Sequence, residues 1–117
     1  MPTELSLPLT PALFHVLLAL ADGEKHGYAI LKEVEQQTEG EVRLSTGTLY
    51  GIIKRLLADG MIRECPKRPA EDFDDQRRRY YRLTDRGREI ATAEAERLAK
   101  LLARARGKRL LDGWKLA

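Results

Sequence analysis

The residues best equipped for chemistry lie in one stretch, "RLSTGTLYGIIKRLLADGMI", Arg43 to Ile62. It opens on hydroxyls at Ser45, Thr46 and Thr48 around Gly47, then continues with Tyr50 and Lys54. Ser and Thr hydroxyls can donate to phosphate oxygens or read base edges, and a threonine methyl can meet the methyl of thymine. A phenol can bond a phosphate and a lysine can neutralise one. As helix-forming material the opening turn is poor, because glycine and threonine have low helix propensity. A helix entering a DNA major groove needs that smallness, so that its backbone can approach phosphates and base edges. The plainer reading, an ordinary capped surface helix, gives no reason for it. Ser45, Thr46, Thr48, Tyr50 and Lys54 are therefore the candidate DNA contacts.

Other chemistries find little support. No serine or cysteine sits in a recognisable nucleophile motif with a histidine and an acid, and no glycine-rich phosphate loop is present. His15, His26 and Cys65 lack metal-ligand spacing, and Asp72, Asp74 and Asp75 lack the glycine and distal glutamate of a calcium loop. The expectation is a protein that is not an enzyme and holds neither metal nor cofactor. With one cysteine there is no intrachain disulfide.

Charge is segregated along the 117 residues. Residues 1–42 carry Lys25 and Lys32 against seven acids, a net of −5, whereas residues 43–117 carry nineteen basic against eleven acidic residues, a net of +8. The basic half is where a polyanion would be met, although charge alone does not exclude a merely solvated surface. The longest apolar run, about Ala12 to Ala21, contains His15 and is too short to span a membrane. No basic region followed by an apolar run marks a signal peptide, so a cytoplasmic, single-core protein is expected.

The positioning elements follow from periodicity. Thr10-Pro11 opens a helix that ends near Asp22-Gly23 and is apolar almost all round, so a partner subunit is its expected second cover. A second helix runs from about His26 to Thr38, with Tyr28, Ile30, Leu31 and Val34 on its buried side; Val42 to Leu44 reads as a short strand. Ser45 caps the third helix and Gly60 ends it, with Leu49, Ile53, Leu56 and Leu57 facing inward. "MIREC" and "RRRYYRL" read as strands around a polar loop, Pro66 to Gln76, and Tyr80 or Tyr81 as sheet packing. Thr84 caps a last helix to about Arg106, with a stripe at Ile90, Ala91, Ala95, Leu98, Leu102 and Ala105 suited to packing along another helix. Gly27, beside Lys25 and His26, admits two readings: close approach of a phosphate, or a tight turn. Trp114 reads as a packed or frayed tail residue rather than a ligand stack. Three helices, a hairpin and a long helix give a mainly α fold with a small β-wing. That is a winged helix-turn-helix at 10–83 followed by a C-terminal dimerisation helix and tail at 84–117.

Four motifs in order, "HGY" at 26–28, "LSTGTLYGIIKRL" at 44–56, "DGMI" at 59–62 and "RRRYYRLTDRG" at 77–87, resemble the PadR family of bacterial transcriptional regulators. The likeness covers roughly Pro11 to Arg106. It implies a dimeric repressor binding double-stranded DNA, and the short tail resembles the subfamily with one C-terminal helix, some members of which bind small molecules at the dimer interface. The expected dimer contacts are Leu13, Leu17, Ala91, Ala95, Leu98 and Leu102; the expected liners of an aromatic effector site are Phe14, Leu98 and Leu102. Two departures stand out. Gly51 occupies the place where the family usually has proline, loosening the helix by roughly 1 kcal/mol relative to alanine. The wing tip, "AEDFDD", carries four acids, so phosphate contacts are expected at its base, on Lys67, Arg68, Arg77, Arg78 and Arg79. The competing reading is a winged-helix protein–protein interaction module, which would be expected to expose apolar anchors at Ser45 instead.

Overall fold

The computed structural model describes residues 7–66 and 79–114. Its elements are α1 (Pro11–Ala19), β1 (Lys25–His26), α2 (Gly27–Gln37), α3 (Thr46–Ala58), β2 (Ile62–Glu64), β3 (Tyr80–Leu83) and α4 (Asp85–Gly107). The strands form one antiparallel sheet in the order β1-β3-β2, with Ile62 opposite Leu83, Arg63 opposite Arg82 and Lys25 opposite Tyr81. Four helices with this small sheet make a winged helix.

Side-chain caps explain where the helices begin. Thr10 Oγ1, Ser45 Oγ and Thr84 Oγ1 accept from the backbone N–H groups of Leu13, Thr48 and Gly87, so each first turn has one orphan donor satisfied. His26 caps α2 through Nδ1, which accepts from Ala29 N at 3.1 Å. At the far end of α3, Gly60 adopts a φ of +73°, and Met61 N reaches Leu56 O at 2.9 Å while Gly60 N reaches Leu57 O at 3.1 Å. This is the left-handed helix stop that glycine favours.

The core joins Val16, Leu17 and Leu20 to Ile30 and Val34 of α2, Leu49, Ile53 and Leu56 of α3, and Met61, Ile62, Tyr81 and Leu83. Several expectations need correcting. Val42 to Leu44 forms no strand: Val42 N is tied to Thr38 Oγ1 at 3.0 Å, and the third strand is Lys25–His26, pairing with β3. Tyr28 is 58% exposed rather than buried, and Leu57 also lies outside the core. Helix α1 stops at Ala19, with turns carrying the chain to Gly23.

Helix α4 is locked to the end of α3. Thr84 Oγ1 donates to Gly60 O at 2.6 Å, Thr84 N to Met61 O at 3.0 Å and Arg86 Nε to Asp59 O at 2.9 Å. Gly87 lies so close to the Met61 carbonyl that a Cβ would collide with backbone. The buried face of α4 then runs through Ile90, Ala91 and Glu94, and continues at three- and four-residue steps into Leu98, Leu101, Leu102 and Ala105. Ala95 is exposed, as Leu98, Leu101 and Leu102 are, and Glu94 and Leu101 join the residues expected in the stripe.

Glu94 is buried, accepting from Leu9 N at 3.3 Å and from Arg97 at 2.7 and 3.0 Å. Its hydrogen bonds from Arg97 hold the carboxyl below its ordinary value near 4.5. A depressed carboxylate contributes stability above its unfolded pKa and loses it as pH falls through the folded one. Melting temperature should therefore drop on acidification below about pH 4.5, and Glu94→Gln should flatten that dependence. Parallel melting curves for the two proteins between about pH 3 and about pH 6 check this.

Candidate nucleic-acid interface

The first turn of α3 is open to solvent. Ser45, Thr46, Gly47 and Thr48 are all exposed, and nothing lies within 4 Å of where a Cβ on Gly47 would stand. Ser45 Oγ accepts from Thr48 N at 3.0 Å and donates to Thr48 Oγ1 at 2.9 Å. The Ser45 hydroxyl is thus committed inside the turn, whereas Thr48 keeps its own O–H for an outside acceptor. Thr46, Tyr50 and Lys54 follow at four-residue steps along one exposed line. On the opposite face Leu49, Ile53 and Leu56 anchor the helix in the core.

Tyr50 is 46% exposed, and its hydroxyl end packs on Gly27. A Cβ at position 27 would overlap the Tyr50 phenol, so the glycine lets that ring rest against the start of α2. This assigns Gly27 a packing role that its sequence neighbours did not reveal. Tyr28, next along, is flanked by the His26 ring at 6.5 Å.

Of the expected wing contacts, Lys67, Arg68, Arg77 and Arg78 fall outside the described residues. Arg79 is described, and its Nη1 lies 3.0 and 3.3 Å from the two carboxylate oxygens of Glu64 across the base of the wing. Arg63 and Arg82, which the sequence pattern did not single out, face each other across β2 and β3 with both side chains exposed.

The expected dimer contacts divide into two groups. Leu13 and Leu17 are buried within the chain itself and offer no surface to a second copy, and Ala91 packs against the same core. Ala95, Leu98 and Leu102 are exposed, together with Leu101 and with Leu18 of α1. Phe14, expected to line an effector site, is half-buried against the core. A cleft of about 470 Å³ along α4 is lined by Leu7, Ala93, Glu96, Arg97, Lys100, Leu101 and Arg104, mostly on the side of the helix away from Leu98 and Leu102. Among the described residues no group of three or more His, Cys, Asp or Glu could hold a metal ion, and no helix is long and apolar enough to cross a membrane.

Residues 16–93 match the model of the transcriptional regulator PadR-like family. The chain belongs to that family. Transcriptional regulator Rv3488 of Mycobacterium tuberculosis is 34% identical over 87 residues, covering 74% of this chain and 75% of that protein. An uncharacterised 37.1 kDa protein in transposon TN4556 of Streptomyces fradiae is 44% identical over 89 residues, covering 76% of this chain but 23% of its own length. The Bacillus subtilis PadR structure in complex with operator DNA has a similar fold, with a TM-score of 0.61 at 21% identity over 70% of this chain and 45% of that one. The PadR-like match runs from the second half of α1 to the first part of α4; Leu98, Leu101 and Leu102 lie beyond it.

The α2–α3 contact in this PadR-like chain can be tested by non-additivity. Gly27→Ala should cost about 1 kcal/mol of stability, since the group it displaces is the mobile end of a side chain. In a Tyr50→Ala background that cost should vanish. Denaturant melts of the four proteins measure the coupling.

Proposed function

We propose that this chain is a homodimeric, sequence-specific DNA-binding repressor. The observation that carries the reading is the first turn of α3, which leaves hydroxyls and a glycine at its exposed end with no apolar anchor among them. Thr48 and Thr46 are the proposed readers of the major groove, Tyr50 and Lys54 phosphate contacts, and Ser45 the cap that holds the turn. Arg77, Arg78 and Arg79 are proposed to neutralise backbone phosphate from the base of the wing. The PadR-like membership supports this, as does the fold shared with a PadR structure bound to operator DNA. In this division of labour residues 10–83 bind DNA in the cytoplasm and 84–117 join the two copies.

The second half of α4 supports the dimer. Leu98, Leu101 and Leu102 continue the face that packs on the core, yet they stand exposed in the single chain. A second α4 is the proposed cover, with Leu18 of α1 alongside. Release by a planar aromatic effector bordered by Phe14, Leu98 and Leu102 belongs to the same proposal.

Thr48→Ala should weaken operator binding by about 1–3 kcal/mol and blur base preference. Arg78→Ala should weaken all duplexes alike and lower the salt slope by about one. Titration against the region upstream of its own operon and a scrambled duplex reads both; unchanged operator affinity in Thr48→Ala would remove that residue from the interface. Replacing Leu98 and Leu102 together by Glu would set like charges against the symmetry axis, so sedimentation should report monomer and operator affinity should collapse. A stable dimer would move the clamp elsewhere.

A further inference from the structure

The far end of α4 differs in character from the rest of the chain. From residue 97 to residue 109 there are six basic residues and no acid. Arg97 is taken by Glu94 and Arg109 by Asp112. Lys100, Arg104, Arg106 and Lys108 are exposed, with no carboxylate of the described residues within ion-pair distance. Past the helix the chain turns, with Leu110 N bonded to Ala105 O and Trp114 N to Leu111 O, both at 3.0 Å. The turn presents two large apolar side chains to solvent: Leu110 is 75% exposed and Trp114 62%. With Leu98, Leu101 and Leu102 they concentrate exposed apolar surface at one end of the molecule, and such clustering marks an interaction site.

The opposite character lies between α1 and α2. A groove of about 250 Å³ is lined there by His15, Leu18, Ala19, Glu33, Val34 and Gln37. Sites for drug-sized ligands begin at about 300 Å³, so this one suits a single large side chain. Leu18, Ala19 and Val34 make it apolar, while α2 and the turn after it carry Glu33, Glu35, Glu39 and Glu41 against Lys32 alone. Glu33 and Glu35 pair with Lys25 and Arg43; Glu39 and Glu41 are exposed, without an ion pair among the described residues. The indole matches the groove, and the basic helix end matches the acidic surface beside it. Within one chain they do not meet. Trp114 stands exposed, and α4 carries the turn about 20 Å past Glu94, the last buried residue of that helix.

We propose that the tail turn is a clasp on a second copy of this chain. Trp114 of one copy seats in the α1–α2 groove of the other, Leu110 packs beside it, and Lys108 faces the glutamates after that α2. The assignment rests on the homodimer reading above, and it adds a contact made by residues beyond the PadR-like match. It also gives the acidic N-terminal third a partner other than the duplex.

Trp114 is the single tryptophan, so its fluorescence reads the clasp in the full chain. At concentrations where sedimentation reports dimer, emission should lie to the blue of free tryptophan and acrylamide quenching should be weakened. Both should return to free-tryptophan values on dilution to monomer. Trp114→Ala should raise the dimer dissociation constant by about tenfold or more. Leu18→Gln and Gln37→Arg change exposed positions on the two sides of the groove, so each should shift emission to the red while sedimentation still reports dimer. If the wild type sediments as a dimer and Trp114 is quenched like free tryptophan, the clasp is overturned and the α4 dimer stands. If Trp114 is shielded in the dimer and both groove variants leave it so, the groove is not its seat and the proposal fails. Shielding that survives dissociation would place Trp114 against its own chain, which also overturns the clasp. If the wild type is monomeric at every concentration, both readings fall.

Discussion

Three carbonyls at the end of α3, those of Asp59, Gly60 and Met61, are taken up by the first turn of α4 and its cap. Helix ends leave such acceptors orphaned, and here Thr84 and Arg86 supply the donors. Gly87 adds a steric constraint, because its closeness to the Met61 carbonyl leaves no space for a side chain. The helix carrying the exposed hydroxyls and the helix carrying the exposed leucines are consequently one mechanical unit. Any device that fixes the far end of α4 also fixes where the first turn of α3 points.

Packing explains why the remaining elements serve that unit. Leu49, Ile53 and Leu56 hold α3 against α2 and β2, while Tyr81 and Leu83 close the core from the sheet. Helix α4 has 23 residues, about 34 Å at 1.5 Å per residue, and only its first part lies on the core. Its apolar face does not end where the core does. In the proposed dimer that overhang is the joint, and the α3–α4 lock in each copy ties the joint to its reading turn.

Local chemistry was legible in the sequence wherever a cap or a strong period was involved. Ser45, Thr84 and Thr10 act as the caps their residue types suggest, and the helices, the two wing strands and the PadR-like membership follow from the same reading. What was not legible depends on tertiary partners. Lys25–His26 is too short for any alternation, and it is a strand only because Tyr80 and Tyr81 lie beside it. Tyr28 has the residue type of a core filler but lies on the outside of α2. Glu94 looks like a surface acid, yet it is buried and accepts from the backbone N–H of Leu9, 85 residues away in the chain. Leu13 and Leu17 read as partner-facing because α1 is apolar all round, yet the single chain covers both.

In the proposed dimer two α3 first turns, held at a set separation, read one operator. Selection from a random duplex library, followed by the stoichiometry of the enriched complex, checks this. The enriched duplex should be an inverted repeat whose half-sites lie about one helical turn apart, bound by two chains. A single half-site bound by one chain, or no enrichment over the starting library, would contradict it.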